Sequence, residues 1–442
     1  MIVAVLLAKL TAWLLRLFRR GATTLPGRLA LKIKPDILRT LADGVHVICI
    51  TGTNGKTTTC ALLSYALKAQ GCSFFTNKSG ANMLTGVVAA FLENATLRGK
   101  CRCEYAVLEC DENSLPKITQ FLQPEVLAVT NIFRDQLDRY GEVSRTVQSI
   151  RQSISQSKGA VLVLSADCPL TYSLRDDTHP LLTFGIDDNL RVSSIASDNR
   201  YCPVCSSTLR YHSRVYAQLG DFYCPKCRYC RCEPDIAAAD ISCSEDGAGF
   251  LIKTEAGAEI CKTSLPGIYN VYNFLTAAAV LHALGRDDCK ALCRFTGAFG
   301  RTERFQNGRH TVLLLLVKNP VGLSGCIRYI CSVRQMPSLC FSLNDNDADG
   351  RDVSWIWDSD FTPIAERRPA VYTCGIRSED MAVRLKYDGI TPAGVLEGED
   401  YVSLLKIMEE TDGDFAVFAS YTSMMRLRRV LLSRFGGKEF WE

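Results

Sequence analysis

The segment Ile50–Thr59, ITGTNGKTTT, carries the residue types that bind nucleotide phosphates. Its glycines let the backbone approach a phosphate, and successive amides at a helix start point their N–H groups at it. Lys56 adds a positive charge, and the hydroxyl of Thr57 can reach a Mg²⁺ ion. The spacing G-x-x-x-x-G-K-[ST] is not met, because position 50 is isoleucine, so the prediction rests on the shorter form GTNGKT. The predicted phosphate-binding residues are Gly52, Thr53, Asn54, Gly55, Lys56, Thr57 and Thr58.

Two acidic segments follow the next two strand-like runs. LECDEN ends one of them at residues 108–113, and NIFRDQLD ends the other at residues 131–138. In an open parallel sheet, ligands lie beyond the carboxyl ends of the strands, so both segments should face the phosphates. Carboxylates there suit Mg²⁺. We predict that Glu109, together with Thr57, holds the magnesium ion.

Four cysteines form two paired knuckles, Cys202-Pro-Val-Cys205 and Cys224-Pro-Lys-Cys227, with 18 residues between them. This pattern predicts a tetrahedral Zn²⁺ site with four thiolate ligands, which is closed and structural. A redox dithiol would explain one knuckle, but it does not explain the pair. Cys230 and Cys232 follow closely and either substitute as ligands or are bystanders.

Two asparagines open an apolar helix in the segment GIYNVYN, at positions 270 and 273. Their amides can hydrogen-bond the edge of a nucleotide base. A plain N-cap is the alternative, since asparagine is favoured at helix starts. Farther along the chain, Arg301 can reach a phosphate across a cleft.

Strands alternate with helices around these motifs. The first strand-like runs are 45–50, 105–108, 126–129 and 161–164, with helical patterns at 57–69 and 146–157. This alternation predicts an α/β domain with a mostly parallel sheet. Gly21–Gly27 predicts a turn, and Phe299–Phe305 resembles a domain boundary. A second alternation follows it, with strand-like runs at 312–317, 340–343, 370–372 and 415–418.

Composition narrows the class of protein. A length of 442 residues predicts two or three domains, and 47 % apolar with 22 % charged residues excludes a mostly disordered chain. The net charge of +4 is too weak to argue for nucleic acid. The 21 cysteines fall short of a disulfide scaffold and favour a reducing compartment, the cytoplasm.

The N-terminus reads as a helix that is apolar apart from Lys9, Arg16 and Arg20, which share one face. Its charges follow the apolar run, unlike those of a signal peptide, and the run is too short to span a bilayer. Packing against the domain is the simpler interpretation. The alternative is a helix that lies on an anionic membrane surface.

Read in order, the motifs resemble the central domain of the Mur ligases, which use ATP to activate a carboxylate as an acyl phosphate. The matching segments are GTNGKTTT, DEN, TNIFRDQLDRYGE, GIYNVYNFLTAAA and FGRTERF. The C-terminal segments LVKNPVGLS, LNDNDADGRDVSWIWDSDF and YTSMMRLRRVL resemble the amidating branch of that family. The resemblance covers nearly the whole chain, but no UDP-binding domain precedes the phosphate loop.

The resemblance implies a fold and an activity. Residues 1–300 would form the Mur-ligase-type central ATP-binding domain, with a zinc-ribbon insertion at 200–233. Residues 301–442 would form a smaller α/β C-terminal domain that contacts a glutaminase subunit, GatD. The pair would amidate the α-carboxylate of D-glutamate in the stem peptide of lipid II, a peptidoglycan precursor, with ammonia that GatD releases from glutamine.

The resemblance also assigns roles to residues. Lys56 and Thr57 would bind the ATP phosphates and Mg²⁺, Glu109 would hold the metal, and the nucleotide contacts would be Asn270, Asn273 and Arg301. An aspartate of the C-terminal domain would complete the catalytic triad of GatD by orienting its histidine. The candidates are Asp349 first, then Asp352 and Asp358.

Two other functions fit parts of the sequence. One is a Mur-type or folylpolyglutamate-type ligase that adds an amino acid rather than ammonia. The other is a zinc-ribbon NTPase that binds nucleic acid through a stacking patch. That patch would comprise Arg210, Arg214, Lys226, Arg228 and Arg231 around Tyr211, Tyr223 and Tyr229.

Overall fold

The structure is a computed structural model that describes residues 1–17, 23–77, 80–133, 142–188, 200–244, 246–296, 302–307 and 310–436. Strands and helices alternate along most of the chain, so the predicted α/β class is confirmed. The helices are α1 (Ile2–Leu17), α2 (Leu25–Ile33), α3 (Ile37–Leu41), α4 (Lys56–Ala69), α5 (Leu84–Asn94), α6 (Leu115–Thr119), α7 (Glu142–Gln156), α8 (Pro169–Tyr172), α9 (Ile268–Ala283), α10 (Cys289–Cys293), α11 (Pro320–Ser332), α12 (Thr362–Arg367), α13 (Ser378–Tyr387), α14 (Tyr401–Glu410) and α15 (Tyr421–Phe435).

A nine-stranded sheet forms the centre of the N-terminal part. Its strands are β1 (His46–Thr51), β2 (Phe74–Thr76), β3 (Tyr105–Glu109), β4 (Val126–Val129), β5 (Val161–Ser165), β6 (Leu181–Ile186), β9 (Ile236–Ser244), β10 (Gly247–Thr254) and β11 (Gly257–Thr263). Their order is β11-β10-β9-β6-β5-β4-β1-β3-β2. In this order every neighbouring pair between β9 and β2 is parallel. Strands β10 and β11 are antiparallel and extend the sheet at the β9 edge. Because β1 is flanked by β3 and β4, the ends of these three strands meet beside the phosphate loop.

A hairpin leaves this sheet between β6 and β9. Its strands are β7 (Arg210–Tyr216) and β8 (Leu219–Tyr223), and they form a separate two-stranded sheet. The four knuckle cysteines lie at its base.

A six-stranded sheet forms the C-terminal part. Its strands are β12 (Thr302–Asn307), β13 (His310–Leu316), β14 (Ser338–Ser342), β15 (Val371–Cys374), β16 (Gly394–Val395) and β17 (Phe415–Ala419), in the order β12-β13-β17-β14-β15-β16. All neighbours are parallel except β12 and β13. A 3₁₀ helix at Ser354–Asp358 follows the acidic loop after β14.

The N-terminal segment corrects one expectation. The turn predicted over Gly21–Gly27 is wrong at its C-terminal end, because α2 begins at Leu25. Pro26 lies in the first turn of the helix, where its missing N–H costs little. Gly27 lies so close to α5 that an added Cβ would lie 1.9 Å from the carbonyl oxygen of Thr85. The glycine therefore marks close helix packing rather than a turn.

Candidate active site and cysteine cluster

The phosphate loop connects β1 to α4 through two glycines with left-handed backbone angles. The φ angle is +119° at Gly52 and +91° at Gly55. A Cβ on Gly52 would lie 2.4 Å from the hydroxyl of Thr130, and a Cβ on Gly55 would lie 2.0 Å from Oδ1 of Asn273. Both positions therefore require glycine, for conformation and for space.

The residue Asn131, just after the end of β4, hydrogen-bonds the phosphate loop. The side chain of Asn131 accepts a hydrogen bond from the N–H of Asn54 at 2.9 Å and donates one to the carbonyl of Asn54 at 3.0 Å. The backbone N–H of Thr53 donates to the carbonyl of Asn131 at 2.9 Å. Asn131 thus contributes from the second acidic segment through its amide. The carboxylates of that segment, Asp135 and Asp138, lie outside the described residues.

Lys56 lies at the start of α4 with its side chain buried. Its ammonium group donates to the carboxylate of Glu112 at 2.7 Å and to the carbonyl of Gly52. The same carboxylate accepts the backbone N–H of Gly52 at 3.1 Å. Glu112 therefore supplies a negative charge next to Lys56 and the Gly52 amide.

Thr57 and Glu109 lie together, as a shared magnesium site requires. The hydroxyl of Thr57 donates to Oε2 of Glu109 at 2.8 Å, and Glu109 is 8 % exposed. Asn77 fixes the backbone of Glu109 from both sides: its Oδ1 accepts the N–H at 2.9 Å, and its Nδ2 donates to the carbonyl at 2.8 Å. Two adjacent hard oxygen donors of this kind fit Mg²⁺.

Asp111 has a different role from its neighbours in the first acidic segment. Its carboxylate accepts the backbone N–H groups of Asn113 and Ser114, at 3.1 and 3.0 Å. Burial, followed by the nearby charge of Glu112, raises the pKa of Asp111. This carboxylate therefore orders the turn that leads into α6.

Asn270 and Asn273 are buried at the start of α9, beside the phosphate loop. Asn270 donates to the carbonyl of Pro266 at 2.7 Å, and Nδ2 of Asn273 donates to Oδ1 of Asn270 at 3.0 Å. Neither side chain caps the helix, because the N-cap residue is Gly267. The structure thus disfavours the plain N-cap alternative. Arg301 lies outside the described residues.

These asparagines line a cavity of about 420 Å³ where the two sheets approach each other. Its wall includes residues that the sequence did not single out. Tyr216 and Leu219 come from the cysteine-bearing hairpin, Tyr269 comes from α9, and Gly322 and Cys326 come from α11 of the C-terminal part. A largely apolar wall with a few amides is suited to a nucleotide base.

The four knuckle cysteines converge in the structure. Their sulfur atoms all lie within 4.8 Å of one another, with 3.6 Å between Cys202 and Cys227 and 3.5 Å between Cys205 and Cys224. Four thiolates on tetrahedral Zn²⁺ lie about 3.8 Å apart, given Zn–S bonds of about 2.3 Å. The donor set therefore fits zinc.

The two knuckles share one backbone geometry. The residue after each second cysteine, Ser206 or Arg228, has a positive φ of 58° or 63°. Its N–H donates to the carbonyl of the first cysteine of its knuckle, Cys202 or Cys224, at 2.9 or 3.1 Å. Cys230 and Cys232 lie outside this four-sulfur group.

Two residues of the stacking patch predicted for nucleic-acid binding are occupied by contacts within the structure. Arg231 is bound to the fully buried carboxylate of Asp167 at 2.7 Å, and Tyr229 is buried with its hydroxyl donating to the carbonyl of Pro169. Neither side chain is available to stack on a base. The guanidinium of Arg214 lies over the ring of Tyr211, 4.2 Å from the ring centroid, in a cation–π contact.

The aspartates of the C-terminal loop differ in their surroundings. Asp349 is half-buried and accepts both the N–H of Thr422, at 2.7 Å, and its hydroxyl. Asp352 accepts the N–H of Ser354 at 2.8 Å with one oxygen. Its other oxygen is sealed from solvent and has no partner among the described residues. Asp358, at the end of the 3₁₀ helix, is half-buried.

Comparison with known proteins gives consistent matches. The Mur ligase middle-domain family matches residues 50–212, and the MurT ligase C-terminal family matches residues 316–424. The MurT subunit of lipid II isoglutaminyl synthase (glutamine-hydrolyzing) from Streptococcus pneumoniae is 37 % identical, over 94 % of this chain and 93 % of its own. The Staphylococcus aureus subunit of the same name is 34 % identical over 98 % of both chains.

Solved structures share the fold at lower identity. A pseudomurein peptide ligase type C from Methanothermus fervidus has a TM-score of 0.71 at 21 % identity, covering 90 % of this chain and 80 % of its own. MurF ligase from Thermotoga maritima, solved in complex with ADP, has a TM-score of 0.65 at 16 % identity, covering 92 % and 84 %.

Proposed function

The chain belongs to the MurT family of Mur ligases, and on that basis we propose that it is the ATP-using subunit of a lipid II isoglutaminyl synthase. It would amidate the α-carboxylate of D-glutamate in the lipid II stem peptide to D-isoglutamine. The observation that carries the proposal is the near-full-length identity of 37 % to a MurT subunit. The pairing of Thr57 with Glu109 at the end of β3, and of Lys56 with Glu112 just after it, supports the proposal.

The reaction proceeds in two transfers. The γ-phosphoryl group of ATP passes to the α-carboxylate, which forms an acyl phosphate and releases ADP. Ammonia then attacks the acyl carbon, phosphate leaves, and a proton is lost to give the amide. Both steps depend on positioning and on neutralising charge at the transferring phosphoryl group.

We assign the ATP-side roles to residues of the phosphate loop and the cavity. The amides of residues 52–58 and Lys56 bind the phosphates, which requires Lys56 to exchange its contact with Glu112 for one with phosphate. Thr57 and Glu109 would hold Mg²⁺, which supplies charge neutralisation when bound. Asn270 and Asn273 would contact the nucleotide, and Arg301 would be a further phosphate contact.

We propose that ammonia comes from a GatD-type glutaminase subunit bound at residues 301–442, while residues 1–300 bind ATP. Asp349 is the first candidate to orient the catalytic histidine of GatD. Its half-exposed carboxylate is already fixed by Thr422, whereas the unpartnered oxygen of Asp352 is buried, out of reach of a bound subunit.

Zn²⁺ at the four cysteines would be structural, since all four ligands come from the protein. The cysteine-rich composition supports a cytoplasmic location.

The test is an amidation assay with the purified complex. The full chain is co-purified with a GatD-type subunit and incubated with ATP, glutamine and lipid II, and the muropeptides are analysed by mass spectrometry. We expect ATP-dependent conversion of D-glutamate to D-isoglutamine. Glutamine hydrolysis without amidated product would contradict the proposal. A product extended by an added amino acid would instead support the amino-acid ligase alternative.

A further inference from the structure

Helix α1 has its large apolar side chains on the outside. The residues it buries are small, Ala4, Val5 and Ala8, and they face α2 and α5. Eight apolar side chains are 41–63 % exposed: Ile2, Val3, Leu6, Leu7, Leu10, Trp13, Leu14 and Leu17. The usual pattern of a surface helix, with the large apolar face toward the core, is reversed here.

The exposed residues form one continuous surface. At 100° per residue they fall within an arc of about 140°, along a helix about 24 Å long. The helix is too short to span a bilayer, and no helix in the described parts of the chain has the length and apolar character for spanning. A contiguous apolar face of this size marks an interaction surface.

Positive charge borders this surface. Lys9 and Arg16 lie at one edge of the apolar arc, and α1 contains no acidic residue. Burial lowers the pKa of Lys9, and the nearby charge of Arg102 lowers it further. The neighbouring helix α2 exposes Arg28 and Lys32. Glu93 is an acidic residue at this edge, and it forms an ion pair with Arg16.

We propose that α1 is a lipid-docking helix, which lies in the plane of an anionic membrane with its apolar arc among the acyl chains and its basic edge at the headgroups. The basic border selects a bilayer over a second copy of this surface, because two copies would bring like charges together. This inference does not depend on the proposed amidation activity. If the amidation proposal also holds, α1 brings the ATP site to a lipid-linked substrate.

Vesicle binding of the full chain tests the proposal. We expect wild-type protein to co-sediment with phosphatidylcholine–phosphatidylglycerol vesicles more than with phosphatidylcholine alone, and less at high salt. Leu10→Gln/Leu14→Gln should lower binding at least about tenfold. The matched control is Ile260→Gln/Val402→Gln, two apolar residues that are 76 % and 78 % exposed elsewhere. The control should bind like wild type.

Two further readouts test the orientation. Vesicles should blue-shift the tryptophan fluorescence, and Trp13→Phe should remove the shift. Lys9→Gln/Arg16→Gln should remove most of the preference for anionic vesicles. All these side chains are exposed or half-buried, so the melting temperature should stay close to that of wild type.

Three outcomes would overturn the proposal. Wild-type protein would not bind vesicles, Leu10→Gln/Leu14→Gln would bind them as wild type does, or α1 would mediate dimers that do not bind vesicles. Loss of vesicle binding when a GatD-type subunit is added would assign the surface to that subunit instead. Amidation of a lipid-free stem peptide reports separately on the proposed activity, and Leu10→Gln/Leu14→Gln should leave it unchanged.

Discussion

Lys56 is the cation of the phosphate loop, and a carboxylate of the same chain already neutralises it. Its side chain is 7 % exposed, and that of its partner Glu112 is 15 % exposed. A pair this well buried has two separable effects. In the proposed function the charge of Lys56 would bind phosphate. The ion pair itself contributes to stability, because removal of one partner leaves the other buried without its counter-charge.

We predict that Lys56→Ala abolishes ATP-dependent amidation and also destabilises the protein by about 1–3 kcal/mol, since Glu112 is left unpaired. The double variant Lys56→Ala/Glu112→Gln should recover the stability without recovering activity. Thermal melting and ADP release measure the two effects. If the double variant regained activity, Lys56 would not be a phosphate ligand.

Asp349 and Asp352 provide a matched pair for the glutaminase partner. We predict that Asp349→Asn lowers glutamine hydrolysis by the complex at least about 100-fold, because an amide does not stabilise a protonated histidine. Asp352→Asn should leave hydrolysis near wild type. ATP binding should be intact in both variants. The reverse result would assign the role to Asp352, and no effect in either would remove this loop from the triad.

At the scale of elements, α4 and α9 meet where Gly55 faces Asn273. We predict that Gly55→Ala raises the KM for ATP at least about tenfold, because the added Cβ would displace the Asn273 amide and strain the loop. Gly44→Ala is the matched control, since Gly44 also has a positive φ, +72°, but nothing lies within 4 Å of its added Cβ. Equal effects in both would mean that backbone strain alone is responsible.

The cysteine-bearing hairpin reaches the nucleotide cavity. Tyr216 donates its hydroxyl to the carbonyl of Val321 in α11 at 3.0 Å, and Gln218 donates to the carbonyl of Ile132 beside the phosphate loop at 2.7 Å. The hairpin therefore connects the four-cysteine cluster to both sides of the cavity.

We predict that Cys205→Ser lowers the bound zinc and raises the KM for ATP, because the hairpin loses its fixed position. Zinc content by elemental analysis and ATP titration measure the two effects. Cys230→Ser is the control and should retain one zinc per chain. Zinc loss with unchanged ATP affinity would show that the cavity wall is independent of the metal.

At the scale of the whole molecule, a pair of amides joins the phosphate loop to the C-terminal part. Nδ2 of Asn319 donates to Oδ1 of Asn54 at 2.9 Å, and Oδ1 of Asn319 caps α11 by accepting the N–H of Gly322 at 2.8 Å. The side chain of Asn319 thus caps α11 and also contacts the phosphate loop of the N-terminal part.

We predict that Asn319→Asp raises the KM for ATP about 2- to 10-fold, the value of one lost hydrogen bond. The melting temperature should change little, because aspartate still caps the helix. Asn319→Ala should lower both affinity and stability. If Asn319→Asp left the KM unchanged, the contact would not contribute to ATP binding.

The local motifs were readable in the sequence because their chemistry is local. The glycines and Lys56 share one turn, and each knuckle is four residues long. By contrast, Asn77, Tyr216 and Asn319 contact residues that are distant in the chain, and local sequence does not encode such contacts. The proline after Asn319 indicates only that a helix begins there, since Asn-Pro is typical of a helix start. The sequence does not reveal the start of α2, because a glycine required by packing resembles one required by a turn.

The hairpin has a consequence for how the chain folds. Strands β6 and β9 are neighbours in the sheet, yet residues 187–235 separate them. Closing such a loop costs entropy, and each halving of its flexible length lowers the cost by about 0.6 kcal/mol. Metal bound at the four thiolates would tie Cys202 to Cys227 and remove about half of that length. Zinc should therefore speed the pairing of β6 with β9, which makes the supply of zinc during synthesis a determinant of how quickly the nine-stranded sheet is completed.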